Sequence, residues 1–266
     1  MTNVSVLVLA GKRSGKLDAM AAVRGVSHKC VVPVAGVPLI EHVLGTIART
    51  LPEAEIQVSI EDFSVIADVP IVASLHQAAR LFPVPAQTNL VESIALAASS
   101  AKFPLLITTA DNAMLTADAI KAMLMSHMDA DALLGMARKE QIIAAHPTGK
   151  NRYYEFRDGG YSNCNLFLLR NAQAIKGTEA FRSGGQFLKT KGRLLKTFGV
   201  LSALMYRSGW FSITTMFDRI SARLGVTIRP VILDDGRLAI DVDDEASLAA
   251  VEDMLLRNGG PLPAIT

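Results

Sequence analysis

The sequence predicts an α/β fold, namely a Rossmann-like, mixed but mostly parallel sheet flanked by helices. Short apolar runs alternate with helical segments through the first 140 residues, which is the pattern of a doubly wound sheet. Several of these runs are almost continuously apolar, as expected for parallel strands buried on both faces. Half of the 266 residues are apolar and a fifth are charged. We therefore predict one domain over residues 1–266, with a helical insertion at about 171–225.

The strands are predicted from short runs of three to seven residues that are mostly apolar, and the three-residue run is the weakest of them. In chain order they cover Val4–Leu9, Glu55–Ile60, the weak run Ile71–Ala73, Pro104–Thr109, Asp131–Ala137, Asn163–Leu169, Ile228–Leu233 and Leu238–Val242. The helices are predicted from capping residues and helical spacing. They run from Pro38 to about Thr50, from the cap Asn89 to about Ser100, from the cap Thr116 to about Met128, and from Glu245 to Arg257.

Composition and charge exclude several classes of protein. The net charge of +2 is too small to indicate a nucleic-acid partner. Cys30 and Cys164 are far apart, so we expect free thiols in a reducing cytoplasm. The chain starts without a basic segment and a cleavage site, and no signal peptide is predicted. The longest apolar stretch, 198–217, has Arg207 near its centre, which favours a buried or interfacial helix over a membrane span.

The insertion is basic as well as apolar. Residues 171–220 hold eight Lys or Arg against two acids. Four of the basic residues precede the apolar stretch: Lys189, Lys191, Arg193 and Lys196. One interpretation is a helical cap whose apolar face packs on the sheet. The other is a peripheral contact with an anionic membrane through residues 189–217.

A glycine-bearing loop follows the first strand, at the edge where parallel sheets bind ligands. It reads Leu9-Ala10-Gly11-Lys12-Arg13-Ser14-Gly15. Its glycines allow backbone N–H groups to approach phosphate oxygens, and its basic residues supply charge. The spacing fits neither a Walker A loop nor the G-x-G-x-x-G dinucleotide motif. Glycine-rich turns also occur in sheets that bind nothing, so the loop alone indicates phosphate binding without proving it.

Lys29 and the residues after it make the loop more specific. Lys29 is followed by Pro33-Val34-Ala35-Gly36-Val37-Pro38-Leu39. Together with the loop, this run resembles the L-A-G-x-R-x-G…K…P-V-x-G-x-P-L signature of MobA-like, sugar-phosphate-type NTP transferases. That group includes molybdenum cofactor guanylyltransferases and the methylerythritol phosphate and inositol phosphate cytidylyltransferases. The resemblance is specific over residues 7–44 and implies that Arg13 and Lys29 bind the triphosphate and offset charge at the α-phosphorus.

Two acidic motifs predict a magnesium site. Asp111 ends a buried strand, where a carboxylate can hold Mg²⁺ between substrate phosphates. Its alternative role, capping the next helix, is better filled by Thr116. Asp241 and Asp243 would point to one face of a strand. The resemblance implies that Asp111 and Asp241 are the metal ligands, whereas Asp243 or Asp244 could instead cap the last helix.

Substrate contacts are predicted less specifically. The resemblance places the helix start over the nucleotide, so we expect Asn89 and Ser93 to help bind it. The G-G-x-x-R loop of the methylerythritol cytidylyltransferases is absent, which leaves the base open, with CTP or GTP favoured. Asn163, Asn165 and Asp243 are candidate acceptor contacts. For the two asparagines, the alternative is hydrogen bonding to their own backbone.

These features predict Mg²⁺-dependent transfer of NMP from an NTP to a phosphorylated small molecule or lipid precursor, with release of pyrophosphate. The five histidines form no triad-like pattern, and a phosphate acceptor needs no general base near pH 7. Two alternatives remain: a glycosyltransferase of the related nucleotide-sugar-binding fold, and a nucleotide-binding regulator without catalysis. The sequence predicts no oligomeric state.

Overall fold

The computed structural model describes residues 4–12, 17–149, 153–178 and 211–257. Its main feature is an eight-stranded mixed sheet in the order β10-β7-β9-β6-β1-β4-β5, with β8 paired to β9. These strands are β1 (Ser5–Leu9), β4 (Glu55–Ile60), β5 (Leu81–Pro85), β6 (Leu105–Thr109), β7 (Ala132–Arg138), β8 (Tyr154–Phe156), β9 (Gly159–Leu169) and β10 (Ile228–Leu233). All pairings are parallel except those of β9, which is antiparallel to β6, β7 and β8. The predicted fold class is confirmed.

Helices cover both faces of the sheet. In chain order they are α1 (Ala19–Val23), α2 (Leu39–Thr50), α3 (Ser64–Ala67), α4 (Pro70–Gln77), α5 (Leu90–Ala98), α6 (Ala117–Met125), α7 (Lys139–Ala145), α8 (Ile175–Thr178), α9 (Ile213–Leu224) and α10 (Glu245–Arg257). One core cluster joins Val6 and Val8 to α2, α4, α6 and α7. A second joins Leu7 and Ile107 to α5 and α9. Alternate residues of β1 therefore face different helical layers, as the apolar run predicted.

The predicted helix caps are confirmed. Oδ1 of Asn89 accepts a hydrogen bond from Glu92 N at 3.1 Å, and Oγ1 of Thr116 accepts one from Ala119 N at 3.2 Å. Each side chain satisfies a backbone donor that the first helical turn leaves free. Pro38 is the N-cap of α2 instead of its first residue.

The weak strand predicted at Ile71–Ala73 is wrong, because these residues belong to α4. Pro70 occupies the start of that helix, where its missing N–H has no cost. Ile71, Val72 and Leu75 are buried, and this spacing fits a helix face. The strand next to β4 is instead β5, which contains Pro83 and Pro85. Sequence patterning missed it, since proline is tolerated only at a sheet edge such as this one.

A small hairpin lies between α1 and α2. Its strands β2 (Pro33–Val34) and β3 (Val37–Pro38) are antiparallel. The turn residues Ala35 and Gly36 both have positive φ, at 49° and 80°, as a two-residue hairpin turn requires. Ala35 N donates to Glu252 Oε1 of α10 at 3.0 Å. The Pro-Val-x-Gly-x-Pro run therefore forms a hairpin that is fixed to the last helix.

Only the two ends of the insertion are described, as α8 and α9. The basic residues Lys189, Lys191, Arg193 and Lys196, and most of the predicted membrane contact at 189–217, lie outside the described residues. Whether the insertion is a cap or a membrane contact stays a prediction. Within the described ranges, no helix is both long enough and apolar enough to span a bilayer. Cys30 and Cys164 are buried free thiols, as predicted.

Candidate nucleotide site

The site lies at the carboxyl edge of three adjacent parallel strands. Leu9, at the end of β1, is level with Ser59 of β4 and Thr109 of β6. Ala10 N donates to Ser59 O, and Ala110 N donates to Leu9 O, both at 2.9 Å. The loops after these strands therefore begin side by side, where α/β sheets bind ligands.

The glycine loop packs tightly against its neighbours. A Cβ atom on Gly11 would lie 2.9 Å from Cβ of Ala86 and 3.1 Å from Oε1 of Glu61. Any larger residue at this position would displace the loop after β4 or the loop after β5. Leu9, Ala10, Gly11 and Lys12 are described, whereas Arg13 and Gly15 lie outside the described residues, so their predicted roles stay predictions.

Lys29 is the centre of the charged cluster. It lies in a single 3₁₀ turn, Lys29–Val31, just before the hairpin. Its Nζ donates to Asp111 Oδ2 at 2.6 Å and to Asp243 Oδ1 at 2.7 Å. The Lys29 side chain is 16% exposed and that of Asp111 is 21% exposed. The structure therefore brings together three residues that are separated by 82 and 214 positions in the sequence.

The pKa values of this cluster follow from burial and from its charges. Burial disfavours the charged form of Lys29, but Asp111 and Asp243 outweigh it and raise the Lys29 pKa. For Asp111, burial is likewise outweighed by the Lys29 ammonium, and the pKa is lowered. Asp241 differs: its pKa is raised well above the ordinary value by burial and by the neighbouring charges of Asp111 and Asp243. The neutral form of the Asp241 carboxyl is therefore favoured, and a further cation beside it would favour the charged form.

Asp241 and Asp243 reach the site by a route that the sequence did not predict. The strand expected at Leu238–Val242 is wrong: residues Gly236–Ala239 form a 3₁₀ turn, and no ladder pairing is described for the residues after it. Ile240 and Val242 are buried in a third core cluster. Buried and less buried residues therefore alternate from Ile240 to Val242 without strand pairing, because this segment packs beside the sheet and does not pair with a strand.

Asp244, and neither of the two other aspartates, caps the last helix. Its Oδ1 accepts a hydrogen bond from Ser247 N at 2.8 Å, and its backbone carbonyl accepts one from Leu248 N at 2.9 Å. Of the two aspartates considered as caps of the last helix, Asp244 has that role. Oδ1 of Asp243 instead accepts a hydrogen bond from Lys29 Nζ.

Asn165 forms a hydrogen bond with the Asp241 carboxylate. Its Nδ2 donates to Asp241 Oδ1 at 2.8 Å. Asn165 has a φ of 49°, which asparagine tolerates better than most residues, and it lies where the register of β9 against β7 shifts. Such an irregularity re-aims a side chain. Asn163 is one step away, and its Oδ1 accepts from Asn165 N at 2.9 Å. Asn165 is thus placed in the site, and Asn163 supports it.

The side chains of Asn89 and Ser93 form hydrogen bonds with backbone groups close to them in the sequence. Asn89 caps α5, and Oγ of Ser93 accepts a hydrogen bond from Gln87 N at 2.9 Å. Together they fix the loop after β5, whose Ala86 lies against Gly11. Their predicted contact with the nucleotide stays a prediction.

Glu61 is a site residue that our sequence reasoning missed. Its Oε1 accepts a hydrogen bond from Lys12 N at 2.7 Å, and its Oε2 lies 3.4 Å from Nε2 of the buried His28. Burial of the imidazole is the main reason that the His28 pKa is lowered. Glu61 directly follows a predicted strand, so the rule that identified Asp111 also applied to it.

Two carboxylates of the site, those of Asp111 and Asp241, are the predicted magnesium ligands. Oδ1 of Asp111 is buried and accepts no hydrogen bond from the residues that the structure describes. Asp241 carries the raised pKa noted above. The described part of the chain contains no cluster of three or more His, Cys, Asp or Glu side chains suited to a metal. Mg²⁺ is often held by only one or two carboxylates together with substrate phosphates. Two carboxylates are compatible with that pattern, and the role of Asp111 and Asp241 as metal ligands stays a prediction.

Comparison with known proteins identifies the fold. No family model matches the chain, and no curated protein matches its sequence. Solved structures do match. A hypothetical transferase from Thermus thermophilus has a TM-score of 0.75 and 23% identity, over 93% of this chain and 100% of that one. CMP:2-keto-3-deoxy-manno-octonic acid synthetase, in complex with CTP, has a TM-score of 0.59 and 12% identity, over 97% and 100%.

A third structure extends this comparison. The 4-diphosphocytidyl-2C-methyl-D-erythritol synthase of Anaerococcus prevotii has a TM-score of 0.56 and 11% identity, over 96% of each chain. The chain therefore has the nucleotide-diphospho-sugar transferase fold, the fold class expected from its sequence. Proteins of this fold include nucleotidyltransferases, and the similarity covers nearly the whole length of this chain.

Proposed function

We propose that this chain is a nucleotidyltransferase that transfers NMP from an NTP to a phosphorylated acceptor and releases pyrophosphate. The observation that carries the proposal is the placement of Lys29 against Asp111 and Asp243, beside the glycine loop. The fold is compatible with this activity, because solved structures of the same fold include two cytidylyl-type enzymes. CTP or GTP is the proposed donor. CTP is the preferred candidate because those two structures are cytidylyl-type enzymes.

In the proposed reaction an oxygen of the acceptor phosphate attacks the α-phosphorus of the NTP, and pyrophosphate leaves. Neither a covalent nucleophile nor a general base is needed, because the attacking phosphate is already ionised. Lys29 is the residue that we expect to stabilise the charge developing at the α-phosphorus, since its ammonium is held in place by two carboxylates. Such alignment and charge stabilisation account for most catalysis of this kind.

Asp111 and Asp241 are the residues proposed to hold Mg²⁺. When bound there, Mg²⁺ would supply positive charge that offsets the negative charge of the substrate phosphates. Asn165 orients the Asp241 carboxylate by its hydrogen bond, which is the role that outer-shell partners of metal ligands have. Glu61 fixes the amide of Lys12 and so determines the path by which the loop leaves β1.

The test is a pyrophosphate-release assay with Mg²⁺, in which ATP, CTP, GTP and UTP are each combined with a panel of phosphorylated metabolites. We expect release with CTP or GTP and one acceptor class, and loss of release in Lys29→Ala and Asp111→Ala. Lys121→Ala, on an exposed position of α6, is the matched control and should keep full activity. Near-full activity in either site variant, with the control active, would show that the assignment is wrong.

A further inference from the structure

The imidazole of His28 is buried beside the turn that carries Lys29. The His28 side chain is 5% exposed. His28 is the N-cap of the 3₁₀ turn Lys29–Val31, and its backbone carbonyl accepts a hydrogen bond from Val31 N at 3.3 Å. From this turn the Lys29 ammonium reaches Asp111. A contact that fixes the His28 ring therefore also fixes the start of the turn that positions Lys29.

The partners of the His28 ring indicate which nitrogen carries the proton. Nδ1 lies 2.9 Å from Oγ of Ser27, and Nε2 lies 3.4 Å from Oε2 of Glu61. Burial lowers the His28 pKa, so the ring is neutral at pH 7 and has a single N–H. A carboxylate has no proton to donate, whereas the Ser27 hydroxyl has one. Both contacts are favourable when Ser27 donates to Nδ1 and the N–H of Nε2 is directed at Glu61.

The contact between His28 and Glu61 is too long for a full hydrogen bond. Nε2 of His28 is buried and has no hydrogen-bond partner among the residues that the structure describes. The Glu61 side chain is 36% exposed, so its carboxylate has room to move. Because a hydrogen bond between N–H and a carboxylate is usually about 2.7–2.9 Å long, a displacement of about 0.5 Å would complete this one.

The Glu61 carboxylate and the start of the glycine loop are packed together. Oε1 of Glu61 accepts a hydrogen bond from Lys12 N at 2.7 Å. A Cβ atom on Gly11 would lie 3.1 Å from Oε1 and 3.2 Å from Oε2, so the carboxylate lies against two successive residues of the loop. A ligand that displaces this part of the loop therefore displaces the carboxylate as well.

We propose that Glu61 and His28 are positioning residues that couple the glycine loop to Lys29. When the loop binds a triphosphate, the Glu61 carboxylate closes onto Nε2 of His28, and the completed hydrogen bond fixes the turn that carries Lys29. Donor binding and the placement of Lys29 are then a single event. This inference rests on the proposed function, in which the loop binds the triphosphate of the NTP and Lys29 offsets charge at the α-phosphorus.

The test measures the KM for NTP and kcat in the pyrophosphate-release assay, and it looks for crossed effects. His28→Ala should raise the KM for NTP about tenfold, although the ring contacts Ser27 and Glu61 instead of the loop. Glu61→Ala should lower kcat about tenfold, although its hydrogen bond is to Lys12. Tenfold is near the lower end of what one hydrogen bond to a charged group contributes. An unchanged kcat in Glu61→Ala would overturn the proposal even where His28→Ala does not fold.

Conservative variants separate positioning from general damage to the fold. Glutamine at either position keeps a polar group within reach of the partner, so Glu61→Gln and His28→Gln should each recover most of both constants. Asp62→Asn is the matched control, because Asp62 is the neighbouring carboxylate and bonds to Ser64. It should keep both constants within about twofold. Glutamine variants that are as impaired as the alanine variants would contradict the positioning role.

A double variant tests whether Glu61 and His28 act through one link. Glu61→Ala together with His28→Ala should be no worse than the more impaired single variant, because the second substitution removes a contact that the first has already broken. Losses that multiply would show that the two residues act independently and would overturn the coupling.

Inorganic tripolyphosphate, titrated calorimetrically, separates this inference from the proposed function, because the probe needs neither a base nor an acceptor. His28→Ala should weaken its binding about tenfold. If that loss is found but no NTP yields pyrophosphate with the unmodified protein, nucleotidyl transfer is wrong and the coupling of His28 to the loop stands. If pyrophosphate is released and folded His28→Ala binds tripolyphosphate as tightly as the unmodified protein, the coupling is wrong and the proposed function stands.

Discussion

Replacing Lys29 with methionine removes an ammonium that lies between two carboxylates while it keeps the length of the side chain. In the structure Nζ is 2.6 Å from Asp111 and 2.7 Å from Asp243, and Asp241 lies close enough to Asp111 for its pKa to be raised by it. After the substitution these carboxylates face one another with no cation among the residues that the structure describes. Both catalysis and stability should suffer, by amounts that the geometry allows us to estimate.

The loss of stability is set by the Lys29–Asp111 pair. Removing one partner of a buried pair costs about 3–5 kcal/mol. Because the two side chains are 16% and 21% exposed, we expect the lower end, about 3 kcal/mol. The Asp243 side chain is 65% exposed, so its contact adds little. Catalysis should fall by about 10²–10³-fold in kcat, the usual effect of losing one group that stabilises transition-state charge.

The stability that the Lys29–Asp111 pair contributes should decrease as the pH falls. Lys29 lowers the folded-state pKa of Asp111 below its ordinary value of 3.8, so this stabilisation is fully present above about pH 4 and is lost as the pH falls through the folded-state pKa. The difference in unfolding free energy between the unmodified protein and Lys29→Met should therefore be largest near pH 7 and shrink toward pH 3.

Urea unfolding at several pH values measures this difference, and pyrophosphate release measures the catalytic loss. Lys121→Met is the control, since Lys121 is exposed on α6, and both of its values should be unchanged. If Lys29→Met kept its kcat within threefold of the unmodified protein, or lost no stability at pH 7, the role assigned to the Lys29–Asp111 pair would be wrong.

Three further predictions concern the loop, a cap and a thiol. Gly11→Ala should raise the KM for NTP at least tenfold in steady-state kinetics, because its Cβ would lie 2.9 Å from Cβ of Ala86; an unchanged KM would contradict the tight loop packing. Asn89→Ala should lower the urea-unfolding free energy by about 1 kcal/mol through loss of the α5 cap, and Asn89→Ser should restore most of it. Burial raises the pKa of Cys30 to about 12, so at pH 8 its iodoacetamide labelling should be about 10³-fold slower than in urea. Equal rates would show that the thiol is accessible.

Local sequence patterns predicted the parts of the fold that depend on local physics. The buried run ending at Leu9 became β1 because its residues are apolar on both faces. Asn89 and Thr116 were identified as caps because their side chains can satisfy the first turn of a helix wherever that helix packs. The failures at Ile71–Ala73 and Leu238–Val242 have one cause: short apolar runs fit a strand or a buried helix or turn equally well, and only their tertiary partners decide.

The candidate site shows the same division between local and long-range effects. The glycine loop, Lys29, Asp111 and Asp241 were predicted from the sequence, because strand ends and the resemblance of residues 7–44 to a known signature can be recognised without coordinates. Local patterns did not predict that Lys29 pairs with Asp111 and Asp243, that Asn165 contacts Asp241, or that Glu61 fixes the loop, and these contacts exist only in the folded chain. These contacts join residues separated by 49 to 214 positions, and their geometry depends on how the strands and the hairpin pack.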